Sequence, residues 1–215
     1  MKVVVTGSSS GIGKAIALKF LKEGHEVVGI DKLPATIKRK NYSHVVADVF
    51  YDALPEIENV EILVNNAGVQ NSGNDIDVNL KGTIVATEKY AIQPAIKSVV
   101  FIASASAETG SEFPEYAASK GGMVAYMKNV ALRIAQYGAT SNSLSPGGVL
   151  TSLNQHVIDD PDLWRQVMDE TPLKKWATAE EIAEFAYFVA VINKSMTAQN
   201  ILIDNGEAAK ANFVW

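Results

Sequence analysis

The chain contains no cysteine. Disulfides and thiolate-bound metals are thereby excluded, and a reducing, cytoplasmic setting is expected. It has no apolar stretch of the ~18 residues that a membrane span requires. The longest candidate, Ile182 to Ile192, is interrupted by Glu184. Only Val3 to Val5 separate Met1-Lys2 from Thr6-Gly7, too little apolar sequence for a secretory leader. Basic residues are in deficit, 19 Lys and Arg against 24 Asp and Glu, and a net charge of −5 is the wrong sign for a nucleic-acid surface. His25, His44 and His156 are scattered without ligand spacing, so no metal site is expected. Repeats, low-complexity tracts and linkers are also missing, and residues 1–215 read as one domain.

With 47% hydrophobic and 20% charged residues, the chain can bury a substantial core. Short apolar runs alternate with longer helix-period stretches, the rhythm of a parallel sheet with crossover helices. Strands are predicted at 2–6, 26–30, 44–47, 61–65, 98–103, 139–145 and 200–204, and helices at 12–23, 82–90, 114–138, 162–169 and 179–193. Continuous runs such as Val3-Val4-Val5 suit strands covered on both faces. Thr178-Ala-Glu-Glu181 reads as a capping box, Gly138 as a helix terminator, and Asp159-Asp160-Pro161 as a helix start. Between Asp31 and Asn59 only one short turn, near Tyr51–Glu58, is expected. The fold class is α/β: a doubly wound, seven-stranded parallel sheet of Rossmann type, helices on both faces.

After the first strand comes Thr6-Gly7-Ser8-Ser9-Ser10-Gly11-Ile12-Gly13. Glycines between a strand and a helix let the backbone turn sharply and approach a pyrophosphate, which the free amides and dipole of the helix N-terminus attract. Asp31 closes the second strand, where a carboxylate accepts from both adenosine ribose hydroxyls and repels a 2′-phosphate. That favours NAD over NADP. Lys32, Lys38, Arg39 and Lys40 just beyond it are the counter-argument.

The spacing of these glycines resembles that of the short-chain dehydrogenase/reductase family, and the resemblance extends from Val3 to about Gly206. Asn65-Asn66-Ala67-Gly68 is similar to the family's NNAG element, Asp48-Val49 to its adenine-holding pair, and Pro146-Gly147-Gly148-Val149 with Thr151 to its PG motif. The resemblance implies a dinucleotide held by Gly7, Ser9, Ser10, Gly11, Ile12, Gly13, Asp31, Asp48, Val49, Asn66, Ala67, Gly68, Tyr116, Lys120, Pro146, Gly147, Val149 and Thr151.

Tyr116 and Lys120 form Tyr-x-x-x-Lys, a spacing that places both side chains on one helix face. An ammonium beside a phenol stabilises phenolate, which suits proton transfer near neutrality. The resemblance implies Tyr116 as proton donor or base, Lys120 as holder of the nicotinamide ribose, Ser104 as donor to the substrate oxygen, and Asn79 as anchor of a relay water. Aligning on the strand end selects Ser104, one residue closer to Tyr116 than the family spacing, with Ser106 as the alternative. The implied activity interconverts a ketone and a secondary alcohol using NAD(H). The alternatives are an NADP(H)-dependent 3-oxoacyl thioester reductase and a non-catalytic dinucleotide sensor.

Two stretches are short for the family: ten residues separate Gly68 from Asn79, and the region from Asp31 to Asp48 is cut. The first trim is expected to remove one wall of the substrate cleft. Residues 150–175 are expected to form a flap over the substrate, Trp164 and Trp176 flanking its 162–175 stretch, and Leu150, Leu153 and His156 to line the pocket. Gly121-Gly122 inside the long helix suggests close packing on a neighbouring subunit, hence a homo-oligomer, a tetramer or dimer.

Overall fold

The computed structural model describes residues 1–111 and 113–210. Seven strands make one wholly parallel sheet: β1 (Lys2–Thr6), β2 (Glu26–Asp31), β3 (Tyr42–Val46), β4 (Ile62–Asn65), β5 (Ser98–Ile102), β6 (Thr140–Pro146) and, numbering past a small outlying pair, β9 (Asn200–Ile203). Their order is β3-β2-β1-β4-β5-β6-β9. The outlying pair is β7 (Val149–Leu150) beside β8 (Ala177–Thr178), which was not predicted.

Val3, Val4 and Val5 are all 0% exposed, as β-branched residues on a doubly covered strand should be. Val3 and Val5 share a core with Ile16 and Phe20 of α1 (Gly11–Lys22) and Ala183 and Ala186 of α7 (Ala179–Tyr187). Val4 belongs to the opposite core, with Ala86 and Tyr90 of α2 (Thr83–Tyr90) and Met123 and Met127 of α4 (Pro114–Ile134). Successive strand residues point to opposite faces, so one apolar run serves both layers.

Several boundaries move. The helical path expected to open at Gly82 starts at Ile76, because a π-helical turn (Ile76–Gly82) precedes α2. The last helix gives way to another such turn, Phe188–Ile192. The long helix ends at Ile134, and a short 3₁₀ turn leads to Gly138, whose φ of +68° closes it in the left-handed region. Two short helices, α3 (Ser106–Thr109) and α5 (Gln155–Ile158), add to α6 (Pro161–Glu170), which Asp160 caps by accepting from Asp162 and Leu163. The Thr178–Glu181 capping box is formed.

No helix crosses between β2 and β3 or between β3 and β4. Single apolar plugs cover the sheet there, Ile37 on one side and Leu54 on the other. The turn expected near Tyr51–Glu58 lies earlier, where Asp48 Oδ1 accepts from Phe50 and Tyr51. Pro55 then holds Leu54 extended. No helix among the described residues is long and apolar enough to cross a membrane.

Candidate active site

Chain order reverses between β1 and β4, and a doubly wound sheet opens its ligand crevice there, at the carboxyl ends of its strands. Gly7 carries the chain over this edge with φ +68°. A Cβ on Gly7 would lie 2.7 Å from Asn66 Nδ2 and one on Gly13 only 2.1 Å from Gly7 O. Glycine at both positions lets α1 start hard against the β1 and β4 ends. Thr6 Oγ1 accepts from the amides of Asn66 and Ala67 at 3.0 Å each, and Asn66 Nδ2 donates to Thr6 O and Gly7 O. The two segments are thereby locked together.

A groove of about 380 Å³ runs across these ends. Gly7, Ser10, Gly11 and Ile12 line it at one side, and Asp31, Asp48 and Val49 near the ends of β2 and β3. Asn66, Ala67 and Gly68 form its floor, with Thr151, Tyr116 and Lys120 at the far end. No side chain caps the first turn of α1 and no acidic residue sits in it, so that helix end is suited to an anionic diphosphate. Five of the residues predicted to hold the dinucleotide do not line the groove, and three of them, Pro146, Gly147 and Val149, line an adjoining cleft instead. Gly13 packs beneath the groove, and the buried Ser9 hydroxyl turns toward the segment after β2, shared between Leu33 O and Pro34 O. Asp31, 9% exposed, accepts from Ser9 N and Leu33 N at 2.9 Å each.

The groove continues into a cleft of about 960 Å³, the two sharing Ile12, Ala103, Tyr116, Thr151 and Leu153. Pro146, Gly147 and Val149 lie on the cleft side. Ser104 lines it too and accepts from Ser106 N at 3.2 Å, which leaves its own hydroxyl proton to donate. Ser106 does not line it; its hydroxyl is buried without a partner. α5 and α6, within the 150–175 segment, flank the cleft through His156, Val157, Leu163 and Gln166. Trp176 lines it as well, 8% exposed and edge-on to Trp164 at 5.1 Å between ring centres. A hollow of similar size at the opposite, amino-terminal end of the strands, lined by Met1, Lys2, Glu26, Glu61 and Lys97, holds none of the motif residues.

Lys120 lies beneath the junction, 4% exposed, donating to Ile102 O at 2.9 Å and 5.6 Å from the centre of the Tyr116 ring. Burial pulls its ammonium from the ordinary 10.5 down to about 8, and the Asp75 carboxylate resists that pull. Asn79 is fully buried and does not reach the cleft. Its Nδ2 donates to Val69 O and Ser119 Oγ, while its Oδ1 accepts from Val69 N. Ser119 in turn donates to Tyr116 O. With both side-chain donors spent, Asn79 ties the Tyr116 turn to Val69.

The shortened segment after Gly68 becomes a strap. Asp75, 1% exposed, accepts from Asn71 N, Ser72 N and Ser72 Oγ, so Gln70 and Asn71 replace the missing wall of the cleft. Asp75 and Ser119 were not singled out from sequence, since a lone Asp or Ser in a helix carries no pattern. Gly122 has an explanation inside the chain, because a Cβ there would meet Leu80 at 2.8 Å.

A family model described as enoyl-(acyl carrier protein) reductase matches residues 41–207. The chain belongs to the short-chain dehydrogenase/reductase family. Among curated members of this family, it is 29% identical to a 3-oxoacyl-(acyl-carrier-protein) reductase of Buchnera aphidicola, the match covering 94% of each chain. It is 31% identical to a D-beta-hydroxybutyrate dehydrogenase of Rhizobium meliloti, covering 96% of this chain and 98% of that one. A solved short-chain dehydrogenase/reductase from Burkholderia thailandensis superposes with a TM-score of 0.85 at 26% identity, covering 97% of this chain and 93% of that one. Membership makes the chain an oxidoreductase of a family that binds a nicotinamide dinucleotide.

Proposed function

We propose that the chain is an NAD(H)-dependent oxidoreductase that interconverts a ketone and a secondary alcohol. The observation that carries this reading is the junction itself: Ser104 and Tyr116 face one cleft, and the ammonium of Lys120 sits beneath Tyr116. The dinucleotide, when bound in the groove, supplies or accepts the hydride. Ser104 donates to the carbonyl oxygen, and Tyr116 passes its proton to that oxygen as it becomes an alcohol. In the reverse direction Tyr116 takes the proton back. Lys120 keeps one hydrogen on Ile102 O and has two others for ribose hydroxyls. Its positive charge favours phenolate on Tyr116.

Asp31 supports NAD, because its carboxylate forms the groove wall where a 2′-phosphate would bring like charge. Lys32, also on that wall, supports a second reading with NADP(H), the cofactor of an acyl thioester reductase. The reading includes a homo-oligomer, a tetramer or dimer, packed through α4 at Gly121, where an added Cβ would meet nothing of this chain closer than 3.9 Å. A monomeric mass in solution scattering at micromolar concentration would refute that assembly.

NADH and NADPH consumption against a broad carbonyl panel, with Tyr116→Phe as control, tests the assignment. Turnover with NADH that vanishes in the variant is expected. Faster turnover with NADPH would overturn the Asp31 argument alone. Tight NADH binding with no turnover on any carbonyl would leave either a substrate outside the panel or a dinucleotide sensor.

A further inference from the structure

Residues 32–36 are all exposed, and Ile37, 6% exposed, is what roots this segment in the core. Apolar packing therefore does not press the segment against the groove that Leu33 lines. Hydrogen bonds do. From the glycine loop, Ser9 Oγ is 3.2 Å from Leu33 O and 3.0 Å from Pro34 O, while Thr36 Oγ1 donates to Ser9 O at 2.6 Å.

A second tie arrives from β3. His44 Nε2 lies 2.9 Å from Leu33 O. A carbonyl only accepts, so Nε2 carries the proton, and in the neutral ring Nδ1 is left as an acceptor. Nδ1 is 2.8 Å from the Tyr42 hydroxyl, which donates to it and accepts from Ser8 Oγ at 3.0 Å. Burial pushes the Tyr42 phenol above its ordinary value, so the donor keeps its proton. Tyr42 and His44, two apart on a strand, share a face. Gly29 on the adjacent strand opens the route, since a Cβ there would sit 2.1 Å from Tyr42 OH and 2.3 Å from Ser8 Oγ. A larger residue at 29 would break the relay.

We propose that Ser8, Tyr42 and His44 form a latch that holds segment 32–36 against the glycine loop and so sets the preference for NAD over NADP. This rests on the dinucleotide reading above. Tyr42 and His44 are positioning residues. With the latch made, Leu33 N and Ser9 N both reach the Asp31 carboxylate, and the segment walls the groove beside it. With the latch broken, the ties through Ser9, Thr36 and Asp31 remain, but Leu33 O loses its hold on β3 and the exposed segment can shift outward at that point. Room then opens next to Asp31, with Lys32 at hand to meet a phosphate.

The test is fluorescence titration of NADH and NADPH into wild type, His44→Ala and Tyr42→Phe, with thermal melts to establish folding. Tyr42→Phe removes a single hydroxyl and keeps the test decisive if His44→Ala does not fold. The NADH dissociation constant should rise about five- to tenfold, the worth of one or two hydrogen bonds, while that of NADPH moves by less than about twofold. His44→Gln, whose amide can still donate to Leu33 O, should recover most of the NADH affinity. Unchanged affinities, equal weakening for both dinucleotides, or a wild type that prefers NADPH would overturn the latch and leave the dinucleotide reading standing. A wild type that binds neither would overturn both.

Discussion

Replacing Lys120 with methionine should abolish turnover and stabilise the cofactor-free protein. The ammonium is taken out of water with one carbonyl, Ile102 O, as its hydrogen-bond partner and Asp75 as the charge that eases its burial. Its drop from 10.5 to about 8 is the cost of burial less what Asp75 returns. At about 1.4 kcal/mol per tenfold change in proton affinity, the charged lysine costs the folded state about 3 kcal/mol. The folded chain binds this proton more weakly than the unfolded chain does. The penalty is therefore complete below pH ~8 and fades as pH rises toward ~10.5, so this residue makes wild type more stable across that window. Methionine fills similar volume without charge but strands Ile102 O, a loss of about 1 kcal/mol. The net gain at pH 7 is about 2 kcal/mol, or about 4–8 °C in Tm for a chain of this size. Melts without cofactor at pH 7 and pH 10 check this. The advantage of Lys120→Met should shrink at the higher pH. A lower Tm than wild type at pH 7, or a difference indifferent to pH, would refute the argument that the buried charge is a burden retained for function.

Other substitutions test separate parts of the account. Ser104→Ala should lower kcat by orders of magnitude with a wild-type melt, whereas Ser106→Ala removes an unpartnered buried hydroxyl and should leave kcat within about twofold. Gly13→Ala drives a methyl into Gly7 O and Asn66 Nδ2; urea denaturation should show a loss of about 1–3 kcal/mol, and dinucleotide binding should weaken. Thr178→Ala breaks the capping box ahead of α7 and should cost about 1 kcal/mol in the same assay, with kcat unchanged.

Much of this molecule was legible in its sequence because the signals are local. Val3-Val4-Val5 requires two covered faces, Thr178-Ala-Glu-Glu181 carries both halves of its own cap, and Tyr-x-x-x-Lys sets two side chains on one helix face whatever surrounds them. The glycine loop announces a dinucleotide for the same reason, since its chemistry lies in consecutive backbone. Tertiary structure decided what depends on partners far apart in the chain. Asn79 could be read as a candidate, yet its ties to Val69 and Ser119 exist only where the π-helical turn packs on α4. Nothing local marks Asp75 as the pin of a strap or the counterweight to Lys120. Ser104 and Ser106 are equivalent in composition, and only the end of β5 turns one toward the cleft and the other into the interior. Tyr42 and His44 reach Ser8 across a strand whose glycine is unremarkable in sequence. Periodicity and spacing determine elements; burial and close approach between distant segments determine which polar groups meet.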